Sequence, residues 1–179
     1  MIWRDELLRQ LDFYWQHSLS PRLEGLTDDE YFWEPVANCW TIRRRPDNSF
    51  MIDWTWPNPD PPPVTTIAWR LAHIAVPVFG IRASQHFGDG SLSIASTKWP
   101  GGAEQALEML HSHYQAWHDG VATLDERALL SPVGEAEGQW ADHSFATLVL
   151  HINREVMHHG AEIALLRDLY RAKFVSTAG

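Results

Sequence analysis

Five side chains able to ligate a metal ion or move a proton, His151, Glu155, His158, His159 and Glu162, crowd one short stretch of this chain. From Leu148 to Tyr170 the sequence reads as one amphipathic helix. At about 100° per residue the five groups fall within an arc of about 100°. Ile152, Val156, Ile163, Leu166 and Tyr170 form the apolar stripe beside them. Polar groups next to a core-facing stripe need partners, a cavity or an ion, because burying them unpaired is costly. Glu155 and His159 are four apart, so on a helix they point the same way and can chelate one ion. That spacing alone is a weak signal: with 23 acidic residues and 10 histidines in 179, one such pair is expected by chance.

A third group sharpens the pattern. His73 lies in the apolar run Ala68-Trp-Arg-Leu-Ala-His-Ile-Ala-Val76. A single imidazole there is ordinarily a satisfied core histidine. In helical bundles, however, ligand sites are assembled from facing helices. His73 with Glu155 and His159 makes a His₂Glu triad, and three protein ligands leave a position open, as in catalytic zinc sites. Two rival sets remain: His151 with Glu155 in place of His159, and a less regular set that recruits His158.

Positioning these groups requires helices. Leu7, Leu8, Leu11, Tyr14, Trp15 and Leu19 predict a first helix from about Trp3 to Leu19, ended by Ser20-Pro21. Thr27-Asp-Asp-Glu30 is a capping box that starts a short helix reaching about Trp33. Val36 to Val64 reads as irregular, broken by Pro46, Pro57, Pro59 and Pro61 to Pro63. Thr65 or Thr66 caps a second long helix carrying His73, kinked at Pro77 and continuing to about Phe87. A third runs from about Ala103 to Leu124, with Ala106, Leu110, Tyr114, Trp117 and Val121 inward. Ser131 to His143 is loop, Ser144 caps the fourth helix to about Arg171, and Phe174 to Gly179 form a loose tail. The expected fold is all-α: four helices in a bundle, one domain over 1–179, with a long loop between helices one and two.

Composition narrows the function. A formal charge of -9 supplies no basic footprint for nucleic acid or an anionic membrane. No apolar run reaches membrane-spanning length. The N-terminus lacks the pattern of a secretory leader, and a single cysteine, Cys39, fits a reducing compartment, so a cytoplasmic location is expected. Cys39 reads as a buried thiol rather than a nucleophile, and Asp28-Asp29 as helix-capping groups rather than an acid–base dyad. Ten tryptophans suit either an aromatic core or a cleft for a flat substrate.

Thr65-Thr-Ile-Ala-Trp-Arg-Leu-Ala-His73, His151-Ile-Asn-Arg-Glu-Val-Met-His-His-Gly-Ala-Glu-Ile163, Leu165-Leu-Arg-Asp-Leu-Tyr170 and the opening Pro21 to Trp33 together resemble the DinB-like superfamily. The resemblance implies a four-helix bundle holding a divalent metal by one side chain of helix two and two of helix four. Residue by residue these map to His73, Glu155 and His159. Many members carry His where Glu155 stands; the Glu version is similar to mycothiol-dependent maleylpyruvate isomerases and related mycothiol transferases. With no second domain evident, the resemblance implies thiol transfer rather than isomerisation.

The expected activity is therefore a metal-dependent S-transfer. Zn²⁺, or Ni²⁺, would activate mycothiol or a similar small thiol toward a small-molecule electrophile. His158 and His151 are the candidates for proton transfer or for orienting the ligands. Trp69, one turn before His73, is a candidate pocket wall, and Arg154 a candidate contact for an acidic substrate. The Trp40 to Trp56 segment serves as a lid or as a cover for one end of the core. A metal-dependent hydrolase, or a non-enzymatic stress or ligand-binding module with a structural metal, are the rival classes; the oligomeric state is left open, with a homodimer compatible with the resemblance and the abundant aromatics.

Overall fold

A computed structural model describes residues 3–175 of the chain, which are mostly helical. The first helix, α1 (residues 3–23), opens as Trp3–Tyr14, widens into a π-helical turn at Trp15–Leu19 and closes as Ser20–Leu23. It therefore runs a turn beyond the expected stop. Pro21 sits at the start of the closing segment, where a missing N–H is tolerated. A short α2, Asp28–Tyr31, follows, with the Thr27 hydroxyl accepting from the Glu30 N–H at 3.3 Å.

The region expected to be irregular carries a small hairpin. Strands β1 (Ile42–Arg44) and β2 (Phe50–Ile52) pair antiparallel, Ile42 opposite Ile52. The turn is built by Asp47, whose carboxylate accepts from the Ser49 N–H (3.0 Å) and hydroxyl (2.6 Å), and by Asn48 at φ 66°. Pro46 lies in the connecting turn and the other prolines lie outside the hairpin, so none falls in its strands and the ladder loses no donor.

Helix α3 (residues 67–87) begins at Ile67, where the Thr66 hydroxyl caps the Trp69 N–H at 3.2 Å and itself donates to the Thr41 hydroxyl at 2.8 Å. Pro77 does not end it. The segment Ile74–Gly80 is wound as a π-helix, after which Ile81–Phe87 is α-helical again. The physical reason is local: proline has no N–H for the carbonyl four residues back, and its ring crowds that carbonyl. Here that carbonyl belongs to His73, so the widened turn starts directly after a candidate ligand.

Helix α4, Ala103–Ala122, buries Ala106, Leu110, Tyr114, Trp117 and Val121, as its periodicity requires. Its first N–H is capped from a distance, by the Asp28 carboxylate at 2.7 Å from the Ala103 nitrogen. A further helix, α5 (Glu126–Leu130), is capped by Asp125, and a 3₁₀ segment at Glu135–Trp140 interrupts the expected loop. Helix α6, Phe145–Val175, starts after Ser144, whose hydroxyl accepts from the Thr147 N–H. It outruns the expected end near Arg171; of the expected tail, Ser176 to Gly179 lie outside the described residues.

Buried side chains from α1, α3, α4 and α6 form one connected cluster. Leu11, Leu19, Leu71, Ile74, Leu110 and Ile152 are almost fully enclosed, each worth about 1.5–3 kcal/mol of transfer free energy. Contact between α1 and α6 is close at Gly160: a Cβ there would sit 2.4 Å from the Tyr14 hydroxyl oxygen. Tyr14 in turn donates to the Met157 carbonyl at 3.2 Å. The glycine directly after His159 thus fixes how near α6 comes to α1.

Candidate metal centre

Helix α3 brings His73 to face α6 at Glu155 and His159. One ligand atom from each of the three lies within 4.8 Å of the others. Glu155 Oε2 is 3.3 Å from His159 Nε2 and 3.9 Å from His73 Nε2. The two imidazole rings meet edge to face, 4.7 Å between centroids. All three side chains are at least three-quarters covered.

Protonation follows from the surrounding contacts. His159 Nδ1 stands 2.7 Å from Glu162 Oε2, so it carries the proton and donates it. Burial lowers the pKa of His159, against the opposing pull of Glu162, and favours the neutral ring. Its Nε2 then presents a lone pair toward Glu155. The Glu155 carboxyl is held at about 2, chiefly by the His73 imidazole beside it, with burial opposing and His151 and His159 adding to the effect. An ionised carboxylate thus faces an imidazole lone pair at 3.3 Å. Two acceptors this close repel each other unless a proton or a cation lies between them. His73 Nδ1 is also buried without a hydrogen-bond partner. The donor set and its protonation fit a divalent cation of borderline softness such as zinc or nickel.

Arg70, one turn before His73, completes the support. Its Nε pairs with Glu162 Oε2 at 3.0 Å, and its Nη1 comes within 3.1 Å of His159 Nδ1. His158, His159 and Glu162 form a second group with ligand-like spacing. The Arg70 cation already occupies that side, so the group holds the His159 ring rather than offering a second ion site.

Aromatic rings wall the other side. Trp69 stacks on His73 (5.1 Å, 8°), and Trp54 stacks on both Trp69 (6.1 Å, 13°) and His73 (6.3 Å, 18°). Trp69 Nε1 donates to the Asp53 carbonyl at 2.8 Å, which ties the hairpin to α3. A cavity of about 300 Å³ opens beside this wall and is lined by Trp54, His73, His151 and Glu155 among others.

The remaining candidates take distinct places. His151 Nδ1 lies 2.7 Å from Arg154 Nη2 and 3.6 Å from Glu155 Oε1, on the far side of that carboxylate from His73 and His159. Arg154 is largely exposed and lies 3.7 Å from Glu155 Oε1. His158 is 65% exposed and turns toward Glu162 Oε1 at 3.4 Å. Cys39 is buried, its thiol against the Val36 carbonyl. His113 contacts the Ala75 carbonyl through Nδ1 at 2.8 Å.

The DinB superfamily model matches residues 10–163, a span holding α1 from Gln10 through the ligand-bearing part of α6. The chain belongs to the DinB superfamily. Comparison with curated proteins and with solved structures returned no match. Among the described residues, His73, Glu155 and His159 are a group whose ligand atoms could hold an ion. No helix among the described residues is long and apolar enough to cross a membrane. The sequence places Glu162 in the polar arc without naming what it supports, and gives Arg70 no role. Their signal was present: each lies one helical turn from a candidate ligand, on the same side of its helix.

Proposed function

We propose that the four long helices form the family's four-helix bundle around a catalytic metal centre, and that the protein is a metal-dependent thiol S-transferase. The observation that carries this reading is the ionised Glu155 carboxylate facing the His159 Nε2 lone pair beside a cavity. Such a set holds an ion with a position left for an exogenous ligand. The Glu form of the triad is the one that resembles mycothiol-dependent enzymes, so the thiol is mycothiol or a similar low-molecular-weight thiol. When bound, Zn²⁺ or Ni²⁺ supplies a Lewis acid that lowers the pKa of a thiol at the open position.

The chain's own residues do the rest. His73, Glu155 and His159 hold the ion, while Arg70 and Glu162 fix the His159 ring, His158 adding a contact to Glu162. Trp54 and Trp69 keep water from one side of His73. Arg154 donates to His151 Nδ1, which leaves the His151 proton on Nε2 and makes that atom a hydrogen-bond donor for charge that develops on the electrophile. The sulfur forms a bond to the electrophilic carbon, its proton leaving to solvent. The electron pair displaced within the electrophile is met by the His151 Nε2 hydrogen bond and takes its proton from water.

Metal content per chain, wild type beside Glu155→Ala and His159→Ala, is the first test. Near-stoichiometric metal that both variants lose, followed by a sulfur-to-metal charge-transfer band when mycothiol is added to the cobalt-loaded protein, is the expected result. A chain that neither contains nor accepts Zn²⁺ or Ni²⁺ would overturn the reading. A loaded chain that hydrolyses esters or amides without thiol would replace it with a hydrolase.

A further inference from the structure

A second, larger cavity of about 540 Å³ lies where α3, the Glu135–Trp140 turn and α6 meet. It shares Arg82 and His151 with the cavity on His73 and Glu155, so the two adjoin. Its volume falls in the range of small-molecule sites. Val133, Trp140, Leu148 and Leu150 give it an apolar surface. Trp140 and Leu150 are 56% and 52% exposed. Two large apolar side chains left uncovered on one concave surface are a feature of ligand grooves.

The charges at this cavity run against those of the molecule, whose formal charge is -9. Arg82 and Glu137 offset each other, with Oε1 of Glu137 3.4 Å from the Arg82 Nε and 3.0 Å from His86 Nε2. His143 contributes a ring packed edge-on against Trp140. The remaining cation is Arg154. It gives one hydrogen bond to His151 through Nη2, and the same nitrogen stands 3.7 Å from Glu155 Oε1, beyond hydrogen-bond distance. Most of the guanidinium fork is open for a planar anion.

We propose that this cavity binds an aromatic or apolar organic anion, a carboxylate or sulfonate of up to about two fused rings. Its ring lies on Trp140, Leu148 and Leu150, and its charged group meets Arg154. That this ligand is the electrophile of the thiol transfer rests on the function proposed above; the binding itself does not.

The test uses the full chain as purified, with naphthalene-1-sulfonate and its uncharged counterpart naphthalene-1-methanol as probes in titration calorimetry. Metal content is measured on the same sample, so a missing metal counts against the S-transferase and leaves the binding result to be read separately. The expected result is saturable binding at one site per chain, roughly tenfold tighter for the sulfonate. Arg154→Met should remove that preference while leaving the alcohol unchanged. Leu150→Ser should weaken both probes several-fold. Both positions are exposed, so neither variant threatens the fold. Absence of one-site binding, equal affinity for the two probes, or a sulfonate preference that survives Arg154→Met would each overturn the proposal.

Discussion

Glu162 grips His159 at 2.7 Å through Nδ1, while the opposite ring nitrogen faces Glu155 at 3.3 Å. The three residues lie on one face of α6, so the helix sets their order along the ring without help from a loop. Glu162 fixes the tautomer and Arg70 fixes Glu162, which makes both positioning residues for a candidate ligand. Glu162→Ala is expected to weaken zinc binding by about 10–100-fold while leaving its stoichiometry unchanged. Glu162→Gln should recover most of the affinity, because the amide oxygen still accepts the Nδ1 proton. Competition against a chelator of known affinity measures both. Equal loss in the Ala and Gln variants would show that charge, and not orientation, is what Glu162 supplies.

The Glu135–Trp140 turn is held by one carboxylate. Glu137 is 7% exposed in its side chain and reaches between Arg82 and His86 on α3. Burial pushes its carboxyl upward, but the His86 hydrogen bond and the Arg82 charge outweigh that and hold it below its ordinary value of 4.5. The folded form therefore binds fewer protons than the unfolded one. Stability from this group is fully present above about pH 4.5 and is lost as pH falls through the lowered folded value. Glu137→Gln should cost about 1–2 kcal/mol at pH 7 and progressively less below pH 4.5. Urea midpoints of wild type and variant, taken between pH 7 and 3, should converge; parallel curves would refute the assignment.

What could be read in the sequence was whatever periodicity and capping chemistry encode. The long helices follow from stripes such as Ile67, Leu71, Ile74 and Val78, and Thr66 and Ser144 sit at helix starts where their hydroxyl oxygens are needed. The grouping of His73 with Glu155 and His159 came from helical spacing together with a family motif. Elements that depend on contacts across the chain were not legible. The hairpin at Ile42–Ile52 is short, and its anchor is Trp69 Nε1 on the Asp53 carbonyl, a pairing that no local pattern encodes. The π-helical turn after His73 follows from Pro77, but the sequence suggested only a kink. Thr27 to Glu30 was read as a reciprocal capping box. The hydroxyl half of that motif is present, yet the Glu30 carboxylate goes elsewhere.

It goes to Arg167. Glu30 and Arg167 are 3% and 1% exposed, and they pair through two bonds, Nε to Oε1 at 2.7 Å and Nη2 to Oε2 at 2.9 Å. Arg167 follows Ile163 by four residues and so lies on the stripe of α6 that faces the core. Its Nη1 also donates to the carbonyls of Arg22 and Glu24, which end α1. One guanidinium thereby joins the end of α1, α2 and α6. Removing either partner leaves a buried charge uncompensated, and Glu30→Ala or Arg167→Ala should cost about 3–5 kcal/mol. The double variant Glu30→Leu with Arg167→Met removes both charges and should regain most of that loss. It should not reach wild type, because the Arg22 and Glu24 carbonyls lose their donor, at about 1–2 kcal/mol. Denaturant midpoints of the single and double variants test this. A double variant as unstable as the sum of the singles would show that the two side chains act independently, and that the pair does not lock α6 to the start of the chain.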